Sequence, residues 1–160
     1  FLILAVAIKV DSHGPVFYRQ VRVTTGNRDF RIFKFRTMIN NADKIGSLVT
    51  TGNDSRITRI GAKIRKCRLD EIPQLLNILK GEMSFVGTRP EVRKYVDRYT
   101  DEMMATLLMP AGVTSLASIS FKDEDELIDE YTEKGMSVDD AYMEKVLPEK
   151  MKYNLGLFKI

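Results

Sequence analysis

The chain has 160 residues, 44% of them hydrophobic and 29% charged, which suits one globular domain with a real core and excludes general disorder. A single cysteine, Cys67, excludes an internal disulfide, and a single histidine, His13, excludes histidine triads and multi-histidine metal sites. The net charge of +3 conceals two unlike halves: residues 1–69 carry 14 Lys/Arg against 4 Asp/Glu, and residues 70–160 carry 11 against 18, so an anionic ligand or surface is expected to meet mainly the first half.

Residues 1–8 are all apolar. Eight fall far short of the about 20 that a spanning helix needs. They read as the end of a longer hydrophobic segment beginning outside this chain, with a buried core helix or strand as the alternative. Asp11-Ser12-His13-Gly14-Pro15 is a turn cluster, and His13 is expected to be no more than a turn residue. Residues 16–23 and 30–38, rich in β-branched and aromatic side chains, predict a β-hairpin with its loop at residues 24–29. Alternation in the second strand puts Phe33, Phe35 and Thr37 on one face and Ile32, Lys34 and Arg36 on the other, so two cations stand side by side.

Residues 40–53 look partly helical, then loop-like. Ile57, Ile60 and Ile64 fall at helical spacing among Arg59, Lys63, Arg65, Lys66 and Arg68. Cys67 is expected to pack on that helix's apolar side. After a break at residues 69–73, Ile72, Leu75, Leu76 and Leu79 predict a second amphipathic helix ending at Gly81, with Pro73 near its start. A short buried strand at 83–86 leads to the loop Gly87-Thr88-Arg89-Pro90. Residues 91–108 predict a helix, 113–121 an extended segment, and 122–133 and 137–147 two more helices. The acidic run at 123–130 reads as a solvated helix face.

Asp70-Glu71 is the constellation most able to do chemistry. At a helix start, two adjacent carboxylates can turn toward one cavity, one as a nucleophile toward phosphorus and the other holding a divalent cation such as Mg²⁺. The plainer alternative is that Asp70 caps the helix and Glu71 favours its dipole. Arg65 and Arg68 lie near this pair in sequence. Arg89, in a loop that can hold a guanidinium rigidly, suits bidentate phosphate contact, and Lys34 and Arg36 form a cation pair on one strand face with no acidic neighbour, an exposed hairpin face being the plainer alternative. No phosphate-binding Walker loop, dinucleotide fingerprint, zinc spacing or calcium loop is present in the sequence.

Taken together, Gly14-Pro15-Val16-Phe17-Tyr18-Arg19-Gln20, Phe33-Lys34-Phe35-Arg36-Thr37-Met38, Thr58-Arg59-Ile60-Gly61, Leu69-Asp70-Glu71-Ile72-Pro73-Gln74-Leu75 with Asn77, Lys80-Gly81-Glu82-Met83-Ser84-Phe85-Val86-Gly87 and Val146-Leu147-Pro148-Glu149-Lys150 resemble the bacterial sugar transferase family, the monotopic polyprenyl-phosphate phosphoglycosyl transferases. The resemblance implies an α+β fold, a small mixed catalytic domain with a β-hairpin and several amphipathic interfacial helices, following a re-entrant membrane helix. Residues 1–10 would be the end of that helix and residues 11–160 the catalytic domain. It implies transfer of a sugar 1-phosphate from a UDP-sugar to polyprenyl (undecaprenyl) phosphate with release of UMP, at the first membrane step of glycoconjugate or exopolysaccharide synthesis. Asp70 would be the nucleophile, Glu71 a Mg²⁺ ligand, and Arg65, Arg89, Lys34 and Arg36 phosphate contacts. The implied location is the bacterial inner membrane, with the catalytic domain on the cytoplasmic leaflet. Thr88 stands where the family usually has proline, Ala111 and Ser115 alter its Pro-Gly-Ile-Thr-Gly loop, and Arg68 replaces a small hydroxyl residue.

Three other readings compete. A basic nucleic-acid-binding module would use the +10 half and lose affinity steeply with salt, but Phe33 and Phe35 sit opposite the hairpin cations, and no nucleic acid is expected as a partner. A catalytically silent membrane-surface module would leave Asp70-Glu71 without a role. A UDP-sugar hydrolase would pass the phosphosugar to water. The sequence leaves the sugar, the glycan pathway and a homodimer open.

Overall fold

The hairpin is the element on which the rest is hung. In the computed structural model, which describes residues 1–51, 54–121 and 123–156, β1 (Phe17–Thr24) and β2 (Arg28–Phe35) pair antiparallel from Phe17↔Phe35 to Thr24↔Arg28. Gly52, Asn53 and Lys122, which fall within the predicted 40–53 segment and at the head of the predicted acidic helix, lie outside the described residues. The connection is tighter than the predicted six-residue loop. A turn at Thr25–Asn27 suffices, because Gly26 and Asn27 take φ of 68° and 59°, a left-handed conformation that Gly and Asn tolerate best.

Both hairpin faces are covered. Phe30 and Ile32 pack with Met83, Ala111 and Ile78. Phe35, from the opposite face, packs with Ile8 and Ile64. These bring in α1 (Leu2–Asp11) and α2 (Arg59–Lys66). The Asp11 carboxylate accepts from the Ile60 amide at 2.9 Å, and the Thr58 hydroxyl from the Gly61 amide at 3.0 Å, so the start of α2 is capped twice. A side chain at position 61 would collide with the Thr37 carbonyl, which is why this approach requires glycine. In α1, by contrast, only Ile8 is buried; Phe1, Leu2, Ile3, Val6 and Val10 are each more than half exposed.

After α2 the chain reverses at Arg68 and forms a 3-10 turn (Leu69–Gln74) that runs into α3 (Leu75–Leu79). Asp70 and Glu71 lie inside that turn and Arg68 precedes it, so Asp70 is not the predicted cap. Nor do the leucines of α3 form a core stripe. Leu75, Leu76 and Leu79 are exposed, and Asn77 is wholly buried instead. Cys67 is exposed too, not packed.

β3 (Ser84–Val86) pairs in parallel with β4 (Gly112–Thr114), a partnership the sequence did not announce. The two segments lie so close that a Cβ on Gly112 would strike the Gly87 backbone, and one on Gly87 would strike the Pro110 carbonyl. Phe85 and Val86 are exposed, so this strand is not the buried one expected. The predicted 91–108 helix is broken into α4 (Arg93–Val96), α5 (Asp101–Met104) and a 3-10 turn (Ala105–Leu108). Its head is extended because the Glu91 carbonyl accepts from the Val23 amide at 2.9 Å, and Thr100 starts a fresh helix by capping Met103. The predicted 113–121 strand ends at Thr114, where Ser115 caps α6 (Leu116–Ser120).

The C-terminal third is helical: α7 (Glu124–Glu133), α8 (Val138–Ala141), a wide π turn (Tyr142–Val146) and α9 (Leu147–Gly156). The widening sits just ahead of Pro148, which has no amide to donate back into the helix. Tyr95, Ile128, Tyr142, Val146, Leu147 and Met151 form the largest apolar cluster. Ile128 is completely buried, so the acidic helix α7 is a core element and not merely a solvated face. No described helix is long and apolar enough to cross a membrane.

Candidate active site

Asn77 sets the geometry. Its side-chain oxygen accepts from the Phe33 amide at 2.9 Å, and its nitrogen donates to the Arg31 carbonyl at 3.0 Å and to the Glu82 carboxylate at 2.7 Å. These bonds pin residues 69–79 along β2, and Glu71 thereby meets Lys34. On the other side, the loop 87–90 is held by the Thr88–Ala111 bridge and by Arg22, whose guanidinium donates to the Pro90 carbonyl at 3.1 Å. That loop delivers Arg89.

The result is a compact charge cluster. Glu71 Oε1 accepts from Lys34 Nζ at 3.1 Å and from Arg89 Nη2 at 2.7 Å. Asp70 and Glu71 are each only 8% exposed. Burial pushes the Glu71 carboxyl up, but Arg89 and then Lys34 outweigh it and hold it at about 2. Burial raises Asp70 above the ordinary aspartate value; Lys34 and Arg65 oppose that rise, and Glu71 adds to it. Lys34 is lowered to about 8, by burial first and Arg89 next, against the pull of Glu71 and Asp70. Arg89 is raised despite its burial, because Glu71 stands beside it.

Of the residues expected at the site, Asp70, Glu71, Lys34 and Arg89 converge. Arg65 acts on Asp70 through its field. Arg36 is not brought there. β2 ends at Phe35, and the Arg36 guanidinium turns to the end of α1, donating to the Ser12 carbonyl at 2.8 Å and to the His13 carbonyl. The expected side-by-side pair with Lys34 is thus divided between a site and a turn clamp.

A cavity of about 530 Å³ opens beside this cluster. Glu71 and Arg68 border it, and Ile72, Leu75, Phe85 and Ile119 supply apolar walls. Among the described residues no group of three or more His, Cys, Asp or Glu side chains forms a metal cage. Asp70-Glu71 offers two hard carboxylates, and Glu71 Oε2 takes no part in the two bonds above.

A second cluster, not among the residues expected from the sequence, lies behind the Arg89 loop. Lys150 Nζ donates to Glu124 at 2.9 Å and to the Tyr142 hydroxyl at 3.3 Å, and lies 3.8 Å from Glu91. The Tyr142 hydroxyl donates to Glu91 in turn, and Arg22 stands 3.9 Å from the same carboxylate. A usable signal existed: Lys150 and Asn154 fall on the helical stripe of Val146, Leu147 and Met151, where polar residues must find buried partners.

Fold and site together define a small α+β domain in which a carboxylate pair, ringed by cations, borders an apolar groove. A model of the bacterial sugar transferase family matches residues 1–150. The chain is 51% identical over 121 residues to an Aeromonas hydrophila UDP-N-acetylgalactosamine-undecaprenyl-phosphate N-acetylgalactosaminephosphotransferase, a match covering 74% of this chain and 29% of the relative. It is 36% identical over 148 residues to a Klebsiella pneumoniae UDP-glucose:undecaprenyl-phosphate glucose-1-phosphate transferase, covering 89% of the chain and 31% of the relative. A Caulobacter vibrioides protein of the same description is 40% identical over 121 residues, covering 74% and 45%. The chain belongs to the bacterial sugar transferase family. It spans less than half the length of each of these three relatives.

Proposed function

We propose that this chain is the catalytic part of an enzyme that moves a sugar 1-phosphate from a UDP-sugar onto polyprenyl phosphate. The observation that carries the reading is the convergence of Asp70, Glu71, Lys34 and Arg89, from three separate segments, beside an open groove. Family membership supports the same reaction class, since the relatives named above are undecaprenyl-phosphate sugar phosphotransferases.

Asp70 is the nucleophile. Its carboxylate oxygen bonds to the sugar-bearing phosphorus, the bond from that phosphorus to the bridging oxygen breaks, and UMP leaves. A phosphate oxygen of the polyprenyl acceptor then attacks the same phosphorus, the aspartyl bond breaks, and the product is a polyprenyl diphosphate sugar. Splitting the transfer in two is the advantage of covalent catalysis. Burial favours a poorly solvated and reactive carboxylate at Asp70, while Lys34 and Arg65 favour its ionised form. Glu71 orients Lys34 and Arg89, whose positive charges offset charge building on the phosphoryl oxygens.

The residues present fit Mg²⁺, which takes one or two protein carboxylates and completes its shell with water and substrate phosphates. Glu71, with Asp70 beside it, would hold the ion, and bound there it would neutralise diphosphate charge. The exposed apolar side chains of α1 support docking at the cytoplasmic leaflet of the bacterial inner membrane, with α1 as the returning end of a re-entrant helix.

The test is a UMP-release assay on full-length protein across a panel of UDP-sugars, with Mg²⁺ and polyprenyl phosphate. Turnover should require the lipid, Asp70→Asn should abolish it, and mass spectrometry of the wild type quenched midway should find a phosphosugar on the peptide containing Asp70. Near-normal turnover by Asp70→Asn would remove the proposed nucleophile, and turnover without lipid would make the enzyme a hydrolase.

A further inference from the structure

The groove has a feature that phosphoryl transfer at Asp70 does not explain. Arg68 adopts φ 53° and ψ 24°, a left-handed conformation that a bulky L-residue takes only under constraint. The constraint is visible: the Arg68 amide donates to the Arg65 carbonyl at 2.9 Å and its carbonyl accepts from the Glu71 amide at 3.3 Å, so the chain reverses at this residue. Glycine or asparagine would turn here with less strain. Strain retained beside a reactive group points to a use for the side chain, and this side chain is a cation on the border of the groove.

The lining says what kind of molecule the cation meets. Ile72, Leu75, Phe85 and Ile119 form apolar walls, and Leu75, Phe85 and Ile119 are 44%, 61% and 66% exposed, so an apolar guest would remove hydrocarbon surface from water. Thr114 and Ser118 supply hydroxyls, and Glu71 is already paired with Lys34 and Arg89. Such a groove suits a ligand charged at one end and hydrocarbon along its length. It does not suit a nucleoside or a sugar, which carry polar groups all round.

We infer that Arg68 and this groove form the acceptor subsite: the guanidinium takes the phosphate head of an isoprenyl phosphate, and the apolar walls take its first isoprene units. The identity of the lipid rests on the function proposed above, but the binding geometry does not require turnover. Placed there, the acceptor's phosphate shares the groove with Glu71, the neighbour of Asp70.

The test uses full-length protein in nanodiscs, titrated with farnesyl phosphate, farnesol, inorganic phosphate and UDP. Wild type should bind farnesyl phosphate more tightly than farnesol or phosphate. Arg68→Gly should weaken farnesyl phosphate by about tenfold to a hundredfold, the worth of a charge-assisted contact, while Arg68→Lys keeps most of the affinity. Because glycine suits the backbone, Arg68→Gly should melt at or above the wild-type temperature, so lost binding cannot be lost folding. Ile119→Glu should weaken farnesyl phosphate and farnesol alike. Farnesyl phosphate bound by Arg68→Gly as by wild type would overturn the inference. So would an equal loss of UDP affinity, which would assign Arg68 to the donor, or phosphate binding as tight as farnesyl phosphate binding. Wild type that binds farnesyl phosphate in this Arg68-dependent way yet releases no UMP would support the subsite and overturn the transfer reaction instead.

Discussion

Glu71 and Glu91 are both buried carboxylates within reach of two cations, and they differ in almost everything that follows. Glu71 holds Lys34 and Arg89, borders a groove, and has an ionisable neighbour in Asp70 whose carboxyl is raised by burial. Glu91 is approached by Lys150 and Arg22 and accepts from Tyr142, whose own hydroxyl is pushed far up by burial and by that carboxylate. The two clusters are joined through Arg89-Pro90-Glu91, so one loop serves a site on one side and a structural lock on the other. A buried ion cluster is therefore no signature of catalysis by itself. The groove and the adjoining Asp70 carboxylate are what set the Glu71 cluster apart.

Magnitudes point the same way. Holding Glu71 at about 2 instead of 4.5 favours the fold by ~3 kcal/mol, and lowering Lys34 from 10.5 to about 8 opposes it by ~3 kcal/mol. The two differ in sign because burial, and then Arg89, work against the charge on Lys34, whereas at Glu71 the two cations outweigh burial. At this site the burial of Lys34 thus offsets much of what its cations contribute through Glu71, as buried ion pairs often show.

The sharpest way to separate the clusters is to remove one group from each. Asp70→Asn should cut transfer by at least about a thousandfold, with the melting temperature held or raised, since a poorly solvated carboxylate is lost. Lys150→Met should do the reverse. Leaving Glu91 and Glu124 without their shared cation should cost about 3–5 kcal/mol in a denaturant titration, or roughly 10 °C in melting temperature. If instead Lys150→Met silences a protein that melts normally, the division between lock and site fails.

Next in size is the pH profile. Asp70 must be ionised and its value is raised, so the acid limb of kcat/KM should lie above the ordinary aspartate value of 3.8. Lys34 is charged only below about 8, so activity should fall on the alkaline side with an apparent pKa near 8, and Lys34→Arg should move that limb upward. Stability should run the other way. Between about 8 and 10 the unfolded chain binds the lysine proton that the folded chain has released, so this group's contribution rises with pH while activity falls. An alkaline limb unmoved in Lys34→Arg would detach Lys34 from the chemistry.

Asn77→Ala should cost about 2–3 kcal/mol, because the Phe33 amide and the Arg31 carbonyl lose their partner and Glu82 loses a donor. Its activity at low temperature, where it is folded, should still be reduced, since Glu71 is no longer pinned beside Lys34. Arg68→Gly is the smallest expected effect on folding: a gain of about 1 kcal/mol from relief of the left-handed backbone, read as a slightly higher melting temperature.

Much of this molecule follows from its sequence. Alternation and turn residues place the hairpin, isoleucine spacing places α2, and adjacency alone brings Asp70 and Glu71 to the head of a turn, because these are local properties that a few neighbouring residues settle. The six ordered motifs named the family as well. What only the tertiary structure decided is partnership across long separations. Lys34 meets Glu71 over 37 residues and Arg89 meets it over 18, while Arg36, two positions from Lys34, is drawn away to a turn. The apolar stripe of α3 faces outward because Asn77 finds three partners inward, and the 91–108 helix breaks because β1 claims the Glu91 carbonyl. Periodicity reports which side of an element is apolar. It does not report what lies opposite, and the choice between core, groove and lock is made by that opposing surface.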